Sequence, residues 1–380
     1  MKPWLRFIAV LLLFHPAALR PADAPVAGVT PAAVAAFKDR LRATTTRHLD
    51  LLLKPDGSVV SLKGKAADGD TALAFHRAYE ITGDPRYRSA ALTLSGRILT
   101  ALRATKFGVL EIKEKEKGDG ETIMGGGPPA MGFYVANVAY ILHREGGRAD
   151  DLKYLAGVID RFPWNERGWW ASTIDVKTGE SKVPMSKPSI INKTASVVMA
   201  AGMLSAAVRD LDPQLSARLK QKTDTCLYGQ IIPAQLADGF WHYSLSENDP
   251  KNKDVLGYFM LTTHVLMELQ DFNPAYREPK LDAALRKAQA FALTCIAPMT
   301  DPNNGPPCVA HRTASTPRHY VLADEPKRGF QLARLLIGAG YFDEGIKITD
   351  ASLKHFAFGN TGMDGAHAAG PTVAILARLR

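Results

Sequence analysis

The chain is poor in cysteine, in charge clusters and in long apolar runs. Its three cysteines, Cys226, Cys295 and Cys308, include no pair at Cys-x-x-Cys spacing. That excludes a zinc site built on cysteine thiolates. No His-Glu-x-x-His occurs, and the glycine run Gly125-Gly126-Gly127 leads into Pro128-Pro129 rather than into the Lys-Ser/Thr ending of a phosphate loop. No metal and no cofactor is therefore expected. Beyond the first residues no apolar stretch reaches the ~20 residues of a spanning helix. No arginine-rich helix is present, and the lysines of 113–117 alternate with glutamates as in a solvated run. Nucleic acid is thus a poor partner despite a net charge of +9. A dispersed basic balance favours an acidic partner in general terms.

The first residues carry a different signal. Lys2 and Arg6 precede an apolar run from Leu5 to Phe14, and Ala22-Asp23-Ala24 offers a small-residue cleavage site. Residues 1–24 read as a signal peptide, with an uncleaved anchor as the alternative. Residues 25–380 read as one domain, exported to the periplasm or secreted. In that oxidising setting Cys295 and Cys308 are spaced to close one loop, whereas Cys226 falls in a helical pattern and reads as a buried thiol.

With 46% hydrophobic residues the chain can fill a large core. Helical periodicity recurs throughout, in segments near 31–53, 70–82, 85–105, 131–144, 150–162, 192–210, 213–227, 255–269, 279–296, 325–339, 342–356 and 366–379. Asp84-Pro85 and Asp212-Pro213 are strong start signals, and Asp70 reads as another cap. The even-numbered helices are rich in small apolar residues on all faces, as in 195–203 and 370–376. The odd-numbered ones carry charge on one side. A helix apolar all round is buried. Twelve helices in six pairs, inner alternating with outer, predict an all-α (α/α)6 toroid of six helical hairpins.

Loop lengths sharpen this reading. Connections from even to odd helices are short, and those from odd to even are long: 56–69, 106–130, 163–191, 228–254, 297–324 and 357–365. In a toroid the long loops emerge at one end, and long loops in compact domains usually carry function. Trp164, Trp169, Trp170 and Trp241 all lie in them. These rings either plug the mouth or, with Tyr243, form a stacking platform for sugars.

The repeated inner-helix, short-turn, outer-helix units, exemplified by residues 70–87, resemble secreted (α/α)6-toroid proteins that act on carbohydrates, including polysaccharide lyases and glycoside hydrolases. Gln235…Gly239-Phe240-Trp241 is similar to the Gln…Gly-x-Trp motif of terpene cyclases, where it tightens helix ends. It stands here without an aspartate-rich element. The lyase resemblance implies β-elimination on an acidic, uronate-containing glycan. That reaction needs the substrate carboxylate neutralised and a ring proton removed. Asn192 and Arg312 are the candidate neutralisers, with Tyr258 or His242 as base and His311 in reserve. Asn192-Lys193 stands where the lyases carry Asn-His, and Asn192 also reads as a helix N-cap. A glycoside hydrolase needs two facing carboxylates instead, for which Asp70, Glu121, Asp238 and Asp364 are candidates. A toroid that binds a glycan or a protein without catalysis is the third reading.

Overall fold

The computed structural model describes residues 31–54, 58–59, 65–109, 128–146, 148–175, 177–181, 184–185, 189–245, 256–294, 296–297, 308–311, 318–320, 326–355 and Ile375. Eleven α-helices run through these residues: α1 (Pro31–Leu52), α2 (Lys65–Thr82), α3 (Pro85–Arg103), α4 (Pro128–Glu145), α5 (Ala149–Asp160), α6 (Ile191–Ala207), α7 (Pro213–Cys226), α8 (Leu256–Phe272), α9 (Pro279–Thr294), α10 (Pro326–Gly338) and α11 (Phe342–His355). Ile375 is helical and fully buried within the segment expected to be the twelfth.

The inner ring follows from composition. In α6 every residue is buried except Lys193 and Ala206. Such a helix is stable only with neighbours on all sides. α2 packs on α4, α4 on α6, α6 on α8 and α8 on α10, while α3, α5, α7, α9 and α11 cover α2, α4, α6, α8 and α10 from outside. The outer helices are amphipathic. α3 buries Tyr87, Ala90, Ala91, Leu94, Ile98, Leu99 and Leu102 along one stripe. Local chemistry sets their starts. Asp84 accepts from the Arg86 amide ahead of Pro85, and Asp212 accepts from the Leu215 amide ahead of Pro213.

Small residues allow close approach inside the ring. A Cβ on Gly132 of α4 would lie 2.3 Å from the Ser196 carbonyl oxygen of α6. Gly132→Ala is therefore expected to destabilise the fold by about 1–3 kcal/mol, read from urea unfolding midpoints.

Two expected helix starts are corrected. α2 begins at Lys65, so Asp70 lies within the helix instead of capping it. Helix-forming Lys65, Ala66 and Ala67 extend it upstream past Gly69. Asn192 is the second residue of α6, and Ile190 occupies the cap position. The long loops also contain short strands that helical periodicity did not reveal: β1 (Trp164–Asn165) with β2 (Trp169–Trp170), and β3 (Ile296–Ala297), β4 (Cys308–His311) and β5 (Arg318–Tyr320) as an antiparallel sheet. The 1–24 segment, Cys295 and most of the 106–130 loop lie outside the described residues. Cys226 is buried as expected, and burial pushes its thiol up.

Candidate functional site at the mouth of the barrel

The loops preceding α6 and α8 are stitched together at the mouth. Ile190 bridges Ser244, the Ile191 amide donates to the Tyr243 carbonyl at 3.0 Å, and the Leu245 amide donates to the Ser189 carbonyl at 3.0 Å. The Ser189 hydroxyl donates to the Trp170 carbonyl at 3.0 Å and shares a 2.5 Å hydrogen bond with Thr194. This ties the β1–β2 hairpin to the first turn of α6. The Tyr243 ring packs on Tyr258 of α8 with centroids 4.6 Å apart. Backbone bonds thus set the first turn of α6 against the segment carrying Tyr243, whose ring meets Tyr258.

Two of these residues are unusual. Tyr258 is 37% exposed on a helix that is otherwise largely buried. Asn192 is 5% exposed, and its Oδ1 has no hydrogen-bond partner. A buried carboxamide oxygen left unpaired costs about 1–3 kcal/mol. Such atoms are rare in native proteins, and among the described residues His76 Nδ1, Trp170 Nε1 and Arg334 Nε share this state.

The tryptophans behave differently from an open platform. Trp169, Trp170 and Trp241 are 6%, 0% and 1% exposed, so their faces are covered by protein. Trp241 donates from Nε1 to the Ile231 carbonyl at 2.8 Å, and Trp164 meets Trp170 edge-on at 4.6 Å. A sugar stacks only on an accessible face, so burial corrects the platform expectation for these three rings. His242 is half-buried and edge-on to Phe240 at 6.1 Å.

The Gln…Gly-x-Trp element is structural. Gln235 bridges Trp241, and its Nε2 donates to the carbonyls of Gly239 at 2.9 Å and Ala284 of α9 at 2.8 Å. Asp238 is exposed and accepts from the Phe240 amide, which fixes it as a turn residue. Gly239 has φ +97°, and a Cβ there would meet the Lys287 carbonyl oxygen at 2.2 Å. Gly239→Ala is expected to lower the unfolding free energy by about 1–3 kcal/mol, checked by denaturant titration.

Other expected site residues are not brought into this cluster. His311 lies on β4, where only its backbone is described. The side chain of Asp70, and all of Arg312, Glu121 and Asp364, lie outside the described residues. Among the described residues no cluster of metal-ligating side chains forms.

A second polar constellation, absent from the sequence reading, lies deeper in the ring. Arg77 of α2 donates to both oxygens of Glu268 on α8, at 2.9 and 2.5 Å. Arg334 of α10 hydrogen-bonds Glu268, Asp271 at 2.8 Å and His264 Nδ1 at 3.0 Å. Arg77, Glu268 and Arg334 are all buried. Burial pushes the Glu268 carboxyl up, but the guanidiniums of Arg334 and Arg77 outweigh it and hold the group well below the usual carboxylate range. The only hint in the sequence was the placing of Arg77, Glu268 and Arg334 inside apolar helical runs.

No family model and no curated protein sequence matches the chain. Solved structures match in shape. The cellobiose 2-epimerase of Spirochaeta thermophila is 13% identical, with 92% of this chain and 98% of that one covered at a TM-score of 0.62. The cellobiose 2-epimerase of Bacillus thermoamylovorans is 13% identical, with coverages of 86% and 87% at 0.61. A family 105 glycoside hydrolase from C. acetobutylicum is 13% identical, with coverages of 83% and 93% at 0.51. At these identities the likeness is one of architecture, and with the alternating inner and outer helices it establishes the (α/α)6 toroid as the fold of this chain.

Proposed function

We propose that the chain is a carbohydrate-processing enzyme working at the mouth formed by the starts of α6 and α8. The observation that carries this reading is the buried, unpartnered Asn192 Oδ1 in the first turn of α6, next in sequence to Ile191, whose amide bonds the Tyr243 carbonyl. In that orientation the carboxamide accepts from a sugar hydroxyl. Turned by 180° it donates to a carboxyl oxygen. The finer reading is a lyase on an acidic glycan. The base takes the proton on the carbon beside the carboxyl group, the C–O bond to the leaving sugar breaks, a C=C bond forms, and the leaving oxygen takes up a proton. Asn192, with Arg312, would hold the carboxylate, and Tyr258 or His242 would carry the proton. His311 stays in reserve.

The likeness to two cellobiose 2-epimerases supports the same first step. Inversion at a carbon next to a carbonyl also begins with loss of that proton. Two-carboxylate hydrolysis is the second reading, favoured by the likeness to a family 105 hydrolase. We also propose export, with cleavage after residue 24. Amino-terminal sequencing of the protein recovered from the periplasm or medium tests it.

The functional test is turnover on a panel of acidic and neutral glycans. It follows the near-ultraviolet absorbance of an unsaturated product, new reducing ends, and inversion of the reducing sugar. Absorbance is expected with wild type, falling about 10²–10⁴-fold in Tyr258→Phe, and falling also in Arg312→Ala. Reducing ends without absorbance would move the assignment to hydrolysis, and inversion without cleavage to epimerisation. Silence on every substrate would leave a binding toroid.

A further inference from the structure

The Ser189 hydroxyl stands where three segments of the mouth meet. It donates to the Trp170 carbonyl of β2 at 3.0 Å and lies 2.5 Å from the Thr194 hydroxyl of α6. Its own carbonyl accepts from the Leu245 amide at 3.0 Å, next to the bridge between Ile190 and Ser244. A serine hydroxyl carries one proton. That proton goes to the Trp170 carbonyl, so in the second bond Thr194 is the donor and Ser189 the acceptor. The chain runs in one direction, from Thr194 through Ser189 to Trp170. Both hydroxyl residues are buried.

This use of a threonine departs from the pattern elsewhere in the protein. Thr45, Thr223, Thr263 and Thr349, all buried in helices, return their hydroxyls to the carbonyl four residues back. Thr194 gives its hydroxyl to Ser189, which lies ahead of its helix. Its amide keeps the helical bond to the Ile190 carbonyl at 2.9 Å, so the side chain is free to tie the helix to something else. The far end of the chain is fixed. Trp170 is fully buried and pairs with Trp164 across the hairpin. The hairpin turn is held by Gln230, whose Nε2 donates to the Arg167 carbonyl at 2.7 Å.

Asn192 lies between the two points at which the first turn of α6 is anchored, the Ile191 amide on Tyr243 and the Thr194 hydroxyl on Ser189. Its Oδ1 has no partner to orient it, so its place is set by the turn that carries it. Resting on the reading of Asn192 as a group that meets the substrate, we propose that Thr194 and Ser189 are positioning residues, which hold the Asn192 carboxamide in register with the sugar carboxyl or hydroxyl group it contacts. Breaking their bond frees the first turn to shift. A displacement of about 1 Å in a reacting contact costs up to about 100-fold in rate, whereas the fold loses one hydrogen bond.

The test is a double-mutant cycle on the full chain. Thr194→Val keeps nearly the shape of the side chain and removes its hydroxyl, and Thr194→Ser keeps the hydroxyl. Each is made alone and together with Asn192→Ala. kcat and KM are measured on the glycan that wild type turns over fastest in a panel holding polygalacturonate, alginate and cellobiose, and urea unfolding is followed beside them. kcat is expected to fall about 10–100-fold in Thr194→Val and to stay close to wild type in Thr194→Ser, with KM little changed in both. In the Asn192→Ala background Thr194→Val is expected to cost less than about twofold more, since a residue that acts through another then has nothing left to position.

Losses that multiply in the double variant would overturn the inference, because independent effects add in free energy. So would full turnover in Thr194→Val, or a Thr194→Ser as slow as Thr194→Val. Each of these results leaves the carbohydrate reading intact and removes only the positioning role. Silence of wild type on the whole panel would overturn the carbohydrate reading, and this inference with it. If Thr194→Val is unfolded under the assay conditions, Ser189→Ala removes the same bond from the other side and is held to the same cycle.

Discussion

Glu268→Ala is expected to destabilise the protein by about 3–5 kcal/mol. The carboxylate is the one group shared by Arg77 and Arg334, both buried, and its removal leaves two guanidiniums in the core with less countercharge than they need. Asp271 remains, hydrogen-bonded to Arg334 but acting on Arg77 only through space. The magnitude belongs to the broken cluster and not to the ion pair as such. Replacing all three with apolar residues of similar volume, Arg77→Met, Glu268→Leu and Arg334→Met, is expected to recover most of the loss, because no charge is then stranded. Urea unfolding of the single and triple variants separates the two outcomes. A triple variant as unstable as Glu268→Ala would show that the cluster is worth more than its desolvation.

The same carboxylate gives stability a pH dependence of definite sign. Its folded pKa lies below its unfolded value, which is near 4.3 for a glutamate. The stabilisation is therefore complete above that unfolded value and is lost as pH falls through the folded one. Wild type and Glu268→Gln should differ in stability above that unfolded value. They should converge only at more acidic pH.

Asn192→Ala is expected to lower turnover about 10²–10³-fold, the scale seen when one donor to a developing charge is removed. It should leave the unfolding midpoint unchanged or raise it. The wild-type side chain buries an oxygen that finds no partner, and alanine removes that cost. A large loss of activity without a loss of stability is the signature of a group kept for chemistry. A parallel fall in both would instead assign Asn192 to the packing of the first turn of α6.

Much of the ring was legible because its cause is local. Asp84-Pro85 and Asp212-Pro213 start α3 and α7 where their cap and ring chemistry places them. The all-apolar run in α6 reads as an inner helix because no amphipathic surface helix looks like it. The candidate site was only half legible. Asn192 and Tyr258 stood out by type and position, but the cap reading of Asn192 failed by two residues, a distance at which helix ends are always uncertain. The tryptophans misled because an aromatic in a loop has the same sequence signature whether its face is covered or open. Trp170 and Trp241 are covered.

By itself the sequence determined the helices, their alternation in character, and the asymmetry of loop length. All of these follow from the spacing of apolar residues and from caps within a few positions of one another. Only the tertiary structure decided that Arg77, Glu268 and Arg334 meet, though they are 191 and 66 residues apart. It alone decided that Asn192 is left with an empty acceptor. Such pairings depend on which helices stand opposite each other when the ring closes. Periodicity along a chain records which face of a helix is buried, and it carries no record of what lies across from that face.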